Sequence, residues 1–564
     1  MKTSPVHNRS IGTAAVLALS LLTLAPASPV LAAAPDAATV QYIDNLFSQN
    51  YPAAEPGAAV LVEKDGQVIL RKGYGLANLE LGVPVRPDMV FEVGSVTKQF
   101  TAAAILMLAE RGQLKLEDDV TRHLPDFPTQ GKTVTIEHLL THTSGIPSYT
   151  GMEEWAVQRR EDIPVDQLIA LFRGKPFDFE PGEKWSYNNS GYVLLGAIIE
   201  KLSGKTYEDF IEQEIFKPAG MDHSRYGNPA EIVAGRAYGY DKDDETYRNA
   251  SYLSMTQPYA AGALMSTVDD LSRWNRALTG GTLLRGPSFT RMVTPARLRS
   301  GISTGYGYGL GAFNFYGHRL IEHGGDIDGF TAYTLTVPED RLFIAVLSNN
   351  PNAPQRPDAL VLRAAARLLG KPLESRPTLP LKPEALAEYV GVYRFDPKIA
   401  RAITLENGQL YSQRTGAGKL PIVPVERDVF TFETESRARF VRDAAGKITG
   451  MEMIPRFGPG ETGQRTDEPI PAERQAVQVD PALYDAYVGE YALNPRMTIA
   501  ILREGDRLFA LPTGQKRLEI FPSSESEFFV KEVDARIVFT RGEGKAEKLV
   551  LHQGGKEMPA PRVK

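Results

Sequence analysis

A chain of 564 residues with 42% apolar and 23% charged side chains has the composition of a soluble globular protein, and it is too long for one hydrophobic core. Its formal charge of −6 is modest and spread along the chain, and no basic tract or zinc-type Cys/His spacing appears, so nucleic acid is not an expected partner. Cysteine is absent, which excludes disulfides, thiolate catalysis and anchoring through a lipidated cysteine.

Lys2 and Arg9 flank the start of an apolar run, Ile11 to Leu24, and Ala32-Ala33-Ala34 follows just before Pro35. This is the pattern of a secretory signal peptide cut near Ala32 or Ala34, and its apolar part is short for a membrane span. It predicts a secreted or periplasmic protein without a stable membrane anchor after processing. Beyond it, Ala58 to Val62 and Val68 to Leu70 flank Asp65-Gly66, which reads as a hairpin. A helix is predicted to open near Ser95 and run through the apolar stretch Phe100 to Leu108. A second is expected over 191–202, entered from Tyr187-Asn188-Asn189-Ser190, and a third over 268–278 capped by Ser266 or Thr267. Strands at 330–337 and 342–348 and a closing helix at 360–369 complete an α/β domain. Its mostly antiparallel sheet would be finished by these late strands.

Past Lys371 the texture changes. Pro372, Pro377, Pro380 and Pro383 mark a stiff linker, and the remainder repeats itself. Tyr389-Val390-Gly391-Val392-Tyr393 recurs 98 residues on as Tyr487-Val488-Gly489-Glu490-Tyr491. The same offset carries Ile403 to Ile501, Leu410 to Leu508, Ile422 to Ile520 and Phe430 to Phe528, which reads as an internal duplication. The expected organisation is a signal peptide at 1–34, a catalytic domain at 35–372, a linker at 373–383, and small antiparallel β-barrels at 384–470 and 480–564.

Three stretches carry chemistry. In Ser95-Val96-Thr97-Lys98 a helix places hydroxyl and amine on one face near its N-terminus, where a lysine of lowered pKa can deprotonate the serine. Tyr187-Asn188-Asn189 offers a phenol able to shuttle a proton and an amide able to orient substrate. His323-Gly324-Gly325-Asp326 lets substrate backbone lie close, and an amide N–H at its end can join that of Ser95 as an oxyanion hole.

In this order, S-x-x-K, Y-x-N and H-x-G resemble the penicillin-recognising serine hydrolases, the superfamily of class C β-lactamases, DD-peptidases and D-aminopeptidases. Leu140-Thr141-His142-Thr143-Ser144-Gly145-Ile146 and Pro181-Gly182-Glu183 agree with it. The resemblance covers roughly residues 40 to 370. It implies Ser95 as the acylated nucleophile, Lys98 as its proton acceptor and Tyr187 as acid/base. It also implies Asn189, His323, Gly325 and Asp326 as substrate contacts, with no cofactor and no metal. The paired barrels resemble the bacterial D-aminopeptidases, in which a loop of the last barrel restricts the site; the segment from Pro512 to Phe528 is a candidate here. Small molecules or short peptides are the expected substrates, and an oligomer is compatible with the sequence.

The chain departs from the common Lys-Thr-Gly third motif. His323 attracts a carboxylate less than a lysine, and Asp326 and Asp328 add negative charge that favours an ammonium group. Amino-terminal peptidase or esterase chemistry is therefore expected ahead of carboxypeptidase or β-lactamase activity. A broad carboxylesterase, a β-lactamase-like hydrolase, a penicillin-binding sensor or wall-binding protein, and a barrel-borne ligand carrier stay open. His142 reads as a hydrogen-bonding residue that holds a loop, Asp118-Asp119 and Asp243-Asp244-Glu245 as solvated turns, and Tyr389 and Tyr487 as barrel core.

Overall fold

The protein is described here by a computed structural model covering residues 35–564 except 244–245, 374–378, 398, 433–435, 456–459, 471–474, 495–496, 514, 516, 543 and 555. The expected leader at 1–34, much of the linker and the turn at Asp244-Glu245 lie outside the described residues.

Six strands form the central sheet: β1 (Ala58–Lys64), β2 (Gln67–Tyr74), β3 (Gly311–Phe315), β4 (His318–Ile327), β5 (Phe330–Val337) and β6 (Leu342–Ser348). Their order is β3-β4-β5-β6-β1-β2, antiparallel throughout, so the first hairpin pairs with the last strand as expected from sequence. Alternate residues of β1 serve different cores. Ala58, Val60 and Val62 face α1 (Ala37–Asn50) and α6 (Pro357–Leu368), whereas Ala59 and Leu61 join the larger core on the other side. Cover on both faces explains why β1 and β6 are unbroken apolar runs instead of alternating ones.

The larger core is built around α2 (Thr97–Glu110), in which every residue from Thr97 to Leu108 is buried. Apart from its last turn this helix has no solvent face, and its polar side chains Thr97, Lys98, Gln99 and Thr101 are buried with the apolar ones. Phe100 packs at a tilt on Trp274 with centroids 4.2 Å apart and meets Phe216 edge-on at 5.6 Å. α2 opens two residues later than the spacing suggested. Gly94-Ser95-Val96 form a 3₁₀ turn, preceded by a reversal that Gly94 makes at φ +50°, and the α-helix proper begins at Thr97. Two further helices matter for the site: α3 (Ile136–Leu140) and α4 (Asn189–Ser203). α5 (Val268–Thr279) carries the expected Thr267 cap, whose hydroxyl accepts from Asp270 N. Asp118, read as a solvated turn residue, is instead buried and binds Lys115 N, Arg122 and His123, because the 115–124 segment folds back on this carboxylate.

After residue 380 the chain forms two eight-stranded antiparallel sheets. The first, from Gly391–Arg394 to Glu461–Thr466, closes on itself through Val392–Thr466 pairing. The second, from Gly489–Asn494 to Lys556–Pro561, nearly closes through the Tyr491–Arg562 bridge and the bond from Val563 N to Glu490 O. Tyr389 and Tyr487 are buried in their cores, as expected. Each accepts a 2.8 Å bond at its carbonyl, from Tyr393 and Tyr491 respectively. Removing either hydroxyl leaves a buried carbonyl without this donor. Tyr393→Phe and Tyr491→Phe are each expected to cost about 1 kcal/mol, read as a lowered urea midpoint of the barrel transition with catalysis untouched.

Candidate active site

Ser95 sits on the 3₁₀ turn at the mouth of α2, and Lys98 lies one turn further in, completely buried. The Lys98 Nζ is 2.8 Å from Ala261 O, 2.8 Å from Asn189 Oδ1 and 3.0 Å from Ser95 Oγ. The first two partners can only accept. A neutral amine has two hydrogens and one lone pair; the hydrogens go to those oxygens, and the lone pair is left facing the serine hydroxyl. Burial pushes the Lys98 ammonium well below the ordinary lysine range, which favours that neutral form. Rings flank it, with Tyr187 and Tyr192 centroids 4.8 and 5.4 Å from Nζ.

Tyr187 lies just ahead of α4, its ring partly open to the cleft and packed beside the Lys98 amine that reaches Ser95. Burial raises the phenol above its usual range, so it holds a proton to give. Asn188 caps α4 by accepting from Gly191 N, which places Asn189 as the first helical residue. Both ends of the Asn189 amide are engaged within the protein, Oδ1 by Lys98 and Nδ2 by Thr150 Oγ1 at 3.0 Å. The amide expected to orient substrate therefore orients the lysine as well.

The third motif comes from β4. Its backbone meets the serine turn so closely that a Cβ on Gly325 would lie 2.0 Å from Val93 O and 3.0 Å from Ser95 N. A Cβ on Gly94 would stand 3.0 Å from Asp326 N. Bare backbone on both sides brings the Ser95 and Asp326 amides to one patch. His323 is buried and fully spoken for: Nδ1–H donates to Gly324 O at 2.6 Å, and Nε2 accepts from Tyr306 at 2.8 Å. Burial lowers this imidazole to about 3. It is a neutral wall, not a cation.

The charge expected from the two aspartates is cancelled. Arg356 Nη2 lies 2.9 Å from both oxygens of Asp326, and Arg159 pairs with Asp328. Neither carboxylate stands free to collect an ammonium group, so that part of the sequence reading does not hold. Sequence reasoning also missed Tyr306, Thr150 and the Ala261 carbonyl. A signal existed for the first, since Tyr306-Gly307-Tyr308-Gly309 interleaves aromatics with glycine. The others contribute through a loop hydroxyl and a main-chain atom, which no residue pattern advertises.

Residues 43–368 match the Beta-lactamase family, well over half of the chain. The chain belongs to the beta-lactamase family. Residues 473–561 of this beta-lactamase-family protein match a domain of unknown function, DUF3471. A penicillin-binding protein of Bacillus subtilis (strain 168) is 30% identical over 542 residues, covering 93% of this chain and 99% of that relative. A D-aminopeptidase of Gluconobacter oxydans is 29% identical over 57% of this chain and 60% of its own length. Among solved structures, an octameric penicillin-binding protein homologue from Pyrococcus abyssi matches with TM-score 0.55 and 30% identity, covering 76% of this chain and 100% of that one. A D-stereospecific amidohydrolase from Streptomyces sp. matches with TM-score 0.50 and 26% identity over 60% of this chain and 99% of that one.

Two buried histidines of the site, His142 and His323, make acid a specific stress. Burial lowers both His142 and His323 below the ordinary value of 6.5. As pH falls through that value the unfolded chain binds protons that the folded chain refuses, so stability declines towards pH 3. The slope is up to about 1.4 kcal/mol per pH unit for each ring. Nitrogen-detected NMR is expected to show neither ring titrating between pH 8 and 5, while the urea midpoint drops over the lower part of that range.

Proposed function

We propose that this serine hydrolase works through an acyl-enzyme on Ser95 and cleaves amides, esters or short peptides of D-amino acids. The observation that carries the reading is the Lys98 amine, dry and bonded to two obligate acceptors, with its third direction on Ser95 Oγ. Ser95 Oγ attacks the substrate carbonyl carbon as its proton passes to Lys98 Nζ. The oxyanion rests on the Ser95 and Asp326 N–H groups. Collapse breaks the bond to the leaving amine or alcohol, which takes a proton from Tyr187. Water then adds to the acyl carbon and gives a proton to the Tyr187 phenolate; the ester bond to Ser95 Oγ breaks as Lys98 returns its proton to that oxygen, and the free acid leaves.

Substrate class follows from charge. A neutral His323 supplies no cation for a substrate carboxylate, and Arg356 is occupied by Asp326. This favours substrates without a carboxylate next to the scissile bond, and the likeness to a D-aminopeptidase and a D-stereospecific amidohydrolase supports the D-configured class. Because both aspartates are paired, an ammonium group must be met elsewhere. A second reading, slow acylation by β-lactams, is favoured by the penicillin-binding relative that matches 93% of the chain. We also read residues 1–34 as a leader directing export and the two barrels as duplicated modules.

Lys98→Arg retains a cation but cannot give up its proton at any working pH. It is expected to slow acylation at least a thousandfold with substrate binding little changed; full activity in this variant would reduce the lysine to an electrostatic role. Ser95→Ala should lose both turnover and fluorophosphonate labelling while folding normally. Rates on D- and L-alanine p-nitroanilide, p-nitrophenyl acetate and a chromogenic cephalosporin separate the readings, the first substrate being expected to lead.

A further inference from the structure

His142 has a position that holding a loop does not account for. It is buried, it adopts φ +60° although it is not glycine, and its main-chain oxygen accepts from Ser186 N at 3.0 Å. Its Nδ1 accepts from the N–H of Asn188 at 3.1 Å, which fixes the ring as the tautomer protonated on Nε2. That Nε2 has no hydrogen-bond partner among the described residues. The ring lies 4.4 Å from Tyr187, 4.8 Å from Tyr306 and 5.2 Å from Tyr192, centroid to centroid. Thus one side chain holds the backbone immediately after Tyr187 and backs the Tyr187 ring from within. A left-handed backbone in a non-glycine residue costs on the order of 1 kcal/mol, so the fold keeps it against a local preference.

We propose that His142 is the positioning residue for Tyr187, holding the phenol against Ser95 by ring contact and by its bond to Asn188 N–H. This rests on the reading of Tyr187 as the proton carrier. The same bond holds the start of α4, and with it Asn189, whose Oδ1 takes one of the Lys98 hydrogens. A shift of the phenol by 1 Å is enough to cost about a hundredfold in rate. Burial keeps the ring neutral, so no cation forms beside the amine.

The two contacts can be removed separately. In His142→Asn the Oδ1 stands as many bonds from Cα as Nδ1 did, and asparagine tolerates the left-handed backbone, so the Asn188 bond survives and the ring is lost. In His142→Phe the ring survives and the acceptor is lost. Each variant is labelled to completion with a fluorophosphonate, and kcat is expressed per labelled site beside Tyr187→Phe. A fall in kcat of tenfold or more in either variant, with KM within threefold, is the expected result. Unchanged kcat per labelled site in both would assign His142 to loop structure alone and overturn the proposal, as would a loss carried by KM. If Tyr187→Phe itself keeps full turnover, the proton-carrier reading fails and the proposal falls with it. If Tyr187→Phe is inactive while both His142 variants work normally, only the positioning role is lost.

Discussion

A primary amine shut away from water is the constraint on which this molecule turns. Lys98 stands where an ammonium ion is disfavoured, and its neighbours are two oxygens that can take hydrogens from it and give none back. Such a group weakens the fold in proportion to its burial, and it is tolerated because α2 is enclosed on every side by apolar packing. Stability and reactivity therefore draw on the same helix. The residues that would be cheapest to improve for stability are the buried amine and the polar groups that hold it.

The rest of the site is rigid backbone brought to that amine. The serine turn and β4 meet main chain to main chain, with glycine on each side because no side chain fits. α4 delivers its first residue to the lysine, and the 146–150 segment secures that residue through Ser148 and Thr150. What reaches the cleft is thus set by elements with little freedom to move, the condition under which fixed dipoles act on a reacting carbonyl without reorganising.

Sequence alone revealed those parts in which chemistry depends on local spacing. Ser95 and Lys98 share a face because they lie three residues apart at a helix entrance, and Tyr187 precedes a helix that its own cap residue announces. The strands at 330–337 and 342–348 were legible as strongly apolar runs, and both fall within the strands found. What could not be read was pairing across distance. Asp326 and Asp328 look like exposed negative charge until Arg356 and Arg159 are placed, one 30 residues away and the other 169. Asp118 misled for the same reason, since its burial depends on how the following turn folds back. His142 was noticed but undervalued, because the rings that surround it come from two segments distant in sequence, 187–192 and Tyr306.

The strand order of the central sheet has a consequence for how the enzyme comes into being. β1 is among the first elements synthesised, yet its partner β6 ends at Ser348. On the ribosome the early hairpin carries an open edge for as long as the intervening residues take to be made, on the order of tens of seconds. Through that interval the nucleophile and the strand that completes its pocket are not yet joined. Until β6 is in place the sheet that sets β4 against the Ser95 turn is unfinished, so on the acyl-enzyme reading proposed above a nascent chain is expected to show no turnover.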